Sequence, residues 1–562
     1  MKRKLSRTIA MMAAIALLAT GCGGSGDSGS TSAEAEGGAS TEAEETVSET
    51  VSAENKAVIT VEAGQRTVAD GSKADSDTLI FALNSEPLSL EPGAGSASDP
   101  YTKMAILQIY EPLVREAPAD RTTLQPLLAE SWEFSEDGTE LTFTLKEGVT
   151  FSNGAPLTAE DVAFSINKVL GMPSTEQYKT IIKDAEVIDD QHVKLNLHYA
   201  YKPVLNILCN QIFAIINKEY YEQCEADGTN FGRNPMGTGA YVFVDWINGD
   251  SINFEANPNW HGGEVSIPNL QMKFMTDVTT TAINLEAGEV DVFSGVDSAD
   301  LPRLRENPDI YVLSVQSSGF YPLCFNMEVE PLDDIRVRKA IQLAINRQEI
   351  IDGGADGIGW VTEAPITPGI FGYPDDFHGE PQNIEKAKEL LAEAGYADGL
   401  DLTLKVQETS YYSRPCQVIQ EQLRQIGINI ELLTMEAGAL TQDLCNRDYE
   451  LAYTWLNADY PDADSIVQKL FNSNQADAAA VTNLSRVKSE EVDALLEKAQ
   501  RSLDDQERID LYYQLAEMNE ENAWYVPIYT STNTLCTTTA VGGAYANSAQ
   551  YYFASDWTFQ PE

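Results

Sequence analysis

Four histidines, seven cysteines and 87 acidic residues are the side chains of this 562-residue chain that could do acid–base, nucleophilic or metal chemistry. His192, His198, His261 and His378 are scattered. Only His192 and His198 fall close together. Their even spacing puts both on one face of an extended strand, with no acid to partner them. They read as ordinary strand residues rather than a metal site, which needs three or four converging ligands. Adjacent acids such as Glu490–Glu491 and Asp504–Asp505 read as solvated helix faces. The chain has no phosphate-cradling G-x-x-x-x-G-K-[ST] loop, no H-E-x-x-H zinc helix, no G-x-S-x-G nucleophile turn and no C-x-x-C pair. A carboxylate pair for glycoside hydrolysis meets only in space, so it stays open. After Cys22, the residues Cys209, Cys224, Cys324, Cys416, Cys445 and Cys536 are irregularly spaced, and disulfides and buried free thiols both remain open. No catalytic residue, metal or cofactor is expected.

The elements that would position a site alternate between strand and helix, which indicates an α/β or α+β architecture. Leu141, Phe143 and Leu145 alternate with Thr142, Thr144 and Lys146, a half-buried strand. Thr158 precedes Asp161 by three residues, an acidic variant of the capping box, and Val162, Ile166 and Val169 line a helix face behind it. Asn383 can cap a helix with the stripe Ile384, Ala387, Leu390, Leu391 and Ala394, which Gly395 stops. Ile419, Leu423 and Ile426 mark another helix. It ends at Gly427 and feeds the strand of Ile428, Ile430 and Leu432. Periodicity alone does not say which strands pair.

Apolar residues form 43% of the chain, enough for a sizeable core, and the length exceeds a single one, so two or more lobes are expected. The net charge is −50. That excludes a nucleic-acid binder, which needs a basic face to replace phosphate counterions, and adsorption to an anionic membrane surface. Met1–Gly21 joins a basic end to the apolar run Ile9–Leu18 and then small residues. This is an export signal, too short to span a bilayer. Residues 22–75 are rich in Gly, Ser, Thr, Ala and Glu, with 11 acids against 3 bases, and are expected to be a disordered acidic tether. Since the signal carries four bases, −46 of the charge lies on the body, 76–562.

The small residues before Cys22 resemble the bacterial lipoprotein lipobox, with Ala19 standing where that motif more often has Leu. The resemblance implies lipidation of Cys22 and anchoring at the extracytoplasmic face of the cell membrane, for which two acyl chains suffice. A second resemblance covers the body from about 78 to about 530. Its residues are Glu86-Pro-Leu-Ser-Leu-Glu-Pro92, Tyr110-Glu-Pro-Leu113, Pro126-Leu-Leu-Ala-Glu-Ser-Trp132 and the run Leu141–Ser165. In order follow Pro235-Met-Gly-Thr-Gly-Ala-Tyr241, Asn257-Pro-Asn-Trp-His-Gly262, Leu285–Asp291, Pro331–Ala340 with Ala344–Arg347, Ala387–Tyr396 and Ala458-Asp-Tyr-Pro-Asp462. Together they resemble the extracytoplasmic solute-binding proteins, family 5, of ABC importers, which include the oligopeptide- and dipeptide-binding lipoproteins.

That family implies an α/β, two-lobed, periplasmic-binding-protein-like fold of type II, with a hinge and an extra subdomain. The expected division is lobe I at 76–320 with the subdomain at about 119–233, lobe II at 321–525, and a return to lobe I at 526–562. The resemblance also implies a non-enzymatic, monomeric receptor that closes on a peptide and delivers it to membrane permease subunits, with ATP hydrolysed elsewhere. Asp459 aligns with the family's amine anchor through Ala-Asp-Tyr460, and Trp455 with its pocket wall. Three residues separate Trp455 from Asp459 where two are more usual, so Trp455 is displaced or a bulge absorbs Asn457. Softer candidates are Tyr411 and Tyr412, in a polar loop after the strand Leu402–Val406; Trp360, after the Gly-rich stretch 353–359; and Asn84, Ser85 and Glu86, which end the first strand. Arg414 is a candidate clamp for a peptide carboxylate. A receptor for nickel chelates or oligosaccharides, a sensor without transport, and a secreted hydrolase are the alternatives.

Overall fold

The computed structural model describes residues 65–94, 99–117 and 120–561. The export signal, Cys22 and most of the expected tether lie outside them. Two large sheets organise the chain. The first runs Ile310–Gln316, Thr532–Thr538, Val292–Ser294, Thr78–Leu83, Asn269–Phe274, Ser251–Ala256 and Tyr241–Ile247. The second runs Trp360–Val361, Tyr525–Thr530, Gly319–Phe325, Leu451–Tyr453, Leu400–Gln407 and Ile428–Met435. The first strand, Thr78–Leu83, pairs in parallel with strands about two hundred residues away, Thr78 opposite Asn269 and Phe81 opposite Val292. Such non-local pairing leaves no mark on local periodicity.

The lobes meet where two paired strands run from one sheet into the other. Ile310–Gln316 continues through Ser317 and Ser318 into Gly319–Phe325, and Tyr525–Thr530 continues through Ser531 into Thr532–Thr538. Ser317 N–H donates to Ser531 O at 2.9 Å, and the Thr530 hydroxyl donates to Gly319 O at 2.6 Å. The lobe boundary therefore falls at 317–318 and 531. Residues 526–530 belong to lobe II rather than to the return, because they complete its sheet.

Gly319–Phe325 is buried along its whole length because lobe II covers both faces of its sheet. Tyr321, Leu323 and Phe325 join one core, and Phe320 and Cys324 the other. Helices Ile335–Ala344, Ile384–Glu393 and Ser410–Arg424 pack on the first side. Helices Ala463–Phe471, Glu490–Arg501 and Asp505–Asn522 pack on the second. A four-stranded antiparallel sheet, Ala129–Phe134, Glu140–Leu145, His192–Leu197 and Ile182–Val187, carries the helix Ala159–Leu170 and occupies the stretch expected of the extra subdomain. That helix starts with both bonds of the Thr158–Asp161 capping box.

Several of the quoted sequence landmarks converge on one buried carboxylate. Glu111 accepts from the Thr238 hydroxyl at 2.8 Å and from Trp260 Nε1 at 3.0 Å, and pairs with His261 Nε2 at 3.0 Å. Gly237 and Gly239 flank Thr238, and a Cβ on either would stand within 2.6 Å of Ile109 O. These motifs tie the segments 237–239 and 260–261 to the end of the helix Pro100–Ile109.

Residues 65–75, expected in the tether, are part of lobe I. Thr67 and Asp70 donate backbone bonds of 2.9 Å to Ala544 O and Thr539 O, and Lys73 pairs with buried Asp291. The backbone partners come from the C-terminal return, so local composition could not reveal them. The six described cysteines are free thiols, five of them buried. Burial pushes the Cys536 thiol up to about 12, as expected of inert packing groups. No described helix is long and apolar enough to cross a membrane, and no three ligating side chains cluster among the described residues. His192 does have an acid partner, since its Nδ1 lies 2.7 Å from Asp189 across a surface turn.

Candidate functional site

A cavity of about 260 Å³ opens between the lobes beside the hinge. Lobe I and its subdomain supply Lys103, Thr175, Tyr178, Asn210 and Tyr551, and lobe II supplies Asn457, Ala458 and Asp459, with hinge residue Ser318 at the junction.

Asp459 is placed from below by its own backbone. Leu456–Asn457 pairs with Gly319–Phe320, and Ala458 N–H donates to Ser318 O at 3.0 Å. Asp459 N–H then donates to the Ser465 hydroxyl at 2.7 Å, which ties it to the helix Ala463–Phe471. Its carboxylate is 46% exposed and lies 2.8 Å from Lys469 Nζ, which also donates to Asn457 O at 3.2 Å. In such a solvated pair attraction amounts to about 1 kcal/mol or less, so the carboxylate keeps most of its capacity to attract a second cation. Its field reaches across the cavity. The subdomain's Tyr178 hydroxyl is pushed up to about 12, first by burial and then by the negative charge of Asp459.

The other sequence candidates fall elsewhere. Trp455 is displaced from the cavity. The pairing of its strand breaks at Thr454–Trp455, and the indole packs on Tyr321 with ring centroids 4.9 Å apart. Tyr411 and Tyr412 begin the helix Ser410–Arg424 rather than occupying a loop, and both rings meet Tyr321 edge-on. Three candidates thus gather in one aromatic cluster of lobe II, away from Asp459. Trp360 opens the edge strand paired with Tyr525–Thr530. Arg414 clamps Asp356 through two bonds of 2.9 and 2.5 Å, so its guanidinium fixes the Gly-rich loop. Glu86 accepts from Trp246 Nε1 at 2.8 Å and Gly249 N–H at 3.0 Å, and Asn84 donates to Gly295 O at 3.3 Å. These two hold the exit of the first strand, with half-buried Ser85 between them.

The Tyr460 ring turns the other way from Asp459. Its hydroxyl lies 2.6 Å from that of Tyr201, which donates to Asp464 Oδ2 at 2.6 Å. Asn206 Nδ2 donates to Pro461 O at 3.2 Å, and Lys202 pairs with Asp505 at 2.7 Å. Tyr201, Lys202 and Asn206 belong to the subdomain, so this seam joins it to lobe II directly behind the Asp459 loop. Beneath the seam, Arg508 and Asp462 form a buried bidentate pair of 2.9 and 2.6 Å.

Two lobes are thus joined by a double strand crossover, with a polar cavity at the crossover. Residues 123–478 match the bacterial extracellular solute-binding proteins, family 5 (middle region), and the chain belongs to that family. It is 27% identical over 486 residues to heme-binding protein A of Haemophilus influenzae, covering 82% of this chain and 88% of the relative. It is 26% identical over 497 residues to di/tripeptide-binding protein 1 of Pseudomonas aeruginosa, covering 84% and 92%. Among solved structures, the periplasmic binding protein DppA of Helicobacter pylori in complex with the peptide STSA superposes with a TM-score of 0.68 at 26% identity, over 85% of this chain and 96% of that one. The two-lobed type II fold is thereby shown.

Proposed function

We propose that the chain is a receptor that binds short peptides between its closing lobes and passes them to the permease of an ABC importer, held at the outer face of the membrane by a lipid on Cys22. The single observation that carries the ligand class is Asp459. It is a solvated lobe II carboxylate facing a cavity whose opposite wall is lobe I. A peptide ammonium entering a closing cleft loses water, at a cost of several kcal/mol unless a carboxylate meets it. The relatives named for di- and tripeptides support this reading. The relative named for heme supports it less, because about 260 Å³ lies below the roughly 300 Å³ at which sites for drug-sized molecules begin. Closure would select the liganded state, since the ligand touches both walls only when they approach.

Binding calorimetry on Asp459→Asn tests the anchor. The substitution should weaken peptides with a free amine by about 10–100-fold, the value of a charge-assisted bond, and N-acetylated peptides by less than about threefold. Equal losses for both forms would contradict the role.

A further inference from the structure

Asp459 already holds a cation, and that cation belongs to the protein. Lys469 stands in the last turn of the helix Ala463–Phe471, and its Nζ lies 2.8 Å from Asp459 Oδ1. Lys469 is not among the residues that enclose the cavity, so it meets the carboxylate from the helix side while Asp459 takes part in the cavity wall. The lysine is held at both ends. Its backbone carbonyl accepts from Asn483 N–H at 2.6 Å, and Nζ also donates to Asn457 O at 3.2 Å. The C-terminal end of a helix carries partial negative charge, which suits an ammonium with or without a carboxylate beside it. The side chain is also 32% exposed, so water reaches it. Lys469 therefore keeps favourable surroundings if it gives up Asp459.

Resting on the peptide reading above, we propose that Lys469 is a built-in stand-in for the ligand's ammonium, and that a free amine binds Asp459 in competition with it. With Lys469 in place the pair carries no net charge. An arriving ammonium then meets a carboxylate whose field is partly cancelled, and the two cations repel each other across it. A ligand without a free amine does not enter this competition. The empty cleft also closes at less cost, because Asp459 is never left as an unpaired charge. Lys469 thus sets how strongly a free amine is preferred to a blocked one, acting through Asp459 rather than by touching the ligand.

The test uses the full-length protein and trialanine, with its amine free or acetylated, and reads affinity by calorimetry. Lys469→Gln keeps a donor for Asn457 O and removes the charge. It should tighten free trialanine by about two- to fivefold, the size of a solvated ion pair, and leave acetyl-trialanine unchanged. Lys469→Arg, which keeps the charge, should match the wild type. Raising the salt from about 0.05 to 0.5 M should shrink the gain of Lys469→Gln, because screening weakens what the lysine does. The stand-in is overturned if Lys469→Gln leaves free trialanine unchanged or weakens it, since the lysine would then be idle or would hold Asp459 in place. It is also overturned if both forms tighten alike, or if Lys469→Arg tightens free trialanine as much as Lys469→Gln does. In each of these results trialanine binds, so the peptide reading stands. If trialanine binds neither the wild type nor the variants, both readings fall.

Discussion

Asp459 and Glu86 are both acids at the ends of strands, and the structure gives them opposite work. Asp459 keeps a solvated carboxylate at the cavity, whereas both oxygens of Glu86 are used by Trp246 and Gly249, with Arg233 stacked 3.5 Å over the indole. Glu86→Ala should therefore lower stability by about 1–2 kcal/mol in urea unfolding and leave peptide affinity within about twofold. A binding loss at unchanged stability would return Glu86 to the site. Asp459 was singled out because it stands in a family motif, and the structure places it in the wall of the cavity. Trp455, Tyr411 and Tyr412 pack on Tyr321 and are not among the residues enclosing this cavity, because residue type reports bulk and not direction. Trp455 is four residues from Asp459, but a break in strand pairing turns it onto Tyr321.

At the scale of elements, the helix Ala463–Phe471 does two jobs. Its Ser465 anchors the cavity loop, and its Asp464 receives the subdomain's Tyr201. Asp464 is buried, and its carboxyl is pushed above the ordinary carboxylate range, first by lost hydration and then by neighbouring Asp462, against the bonds from Tyr201 and Gln468 and the charge of Arg508. The folded protein therefore holds this proton more firmly than the unfolded chain. The stability it contributes is fully present below the ordinary carboxylate value and is lost as pH rises through the raised one. Asp464→Asn, which keeps an acceptor for Tyr201, should remove that dependence. Melting curves should show the variant gaining on the wild type between about pH 4 and neutrality. A gain that shrinks with rising pH would contradict the assignment. Local elements such as the Thr158–Asp161 capping box and the Asn383 cap were legible because their partners lie three residues away. The Tyr201–Asp464 seam was not, because 263 residues separate its partners.

At the scale of the whole molecule, the charge of −50 is a surface property. Among the described acids, Asp459 alone is among the residues enclosing the cavity; Glu111, Asp291, Asp462 and Asp464 are buried in structural contacts, and most of the others lie at the solvated surface. The two-lobed plan was legible through ordered landmarks along the body. The hinge position was not, because Ser317, Ser318 and Ser531 have no special chemistry and become a hinge only through strands paired across 200 residues. Those crossovers place Asp459 beside Ala458, whose N–H bonds Ser318 O, so the proposed ligand capture and lobe closure would share one piece of backbone. The central claim, that the enclosed solute is a short peptide, is tested most directly by thermal unfolding of the full-length protein with di- and tripeptides, oligosaccharides and nickel chelates in parallel. A bound solute adds about 2.7 kcal/mol at one hundred times its dissociation constant. The account predicts that short peptides with a free amine raise the melting temperature and the other two classes do not. Stabilisation by a sugar or a nickel chelate, with none by any peptide, would contradict it.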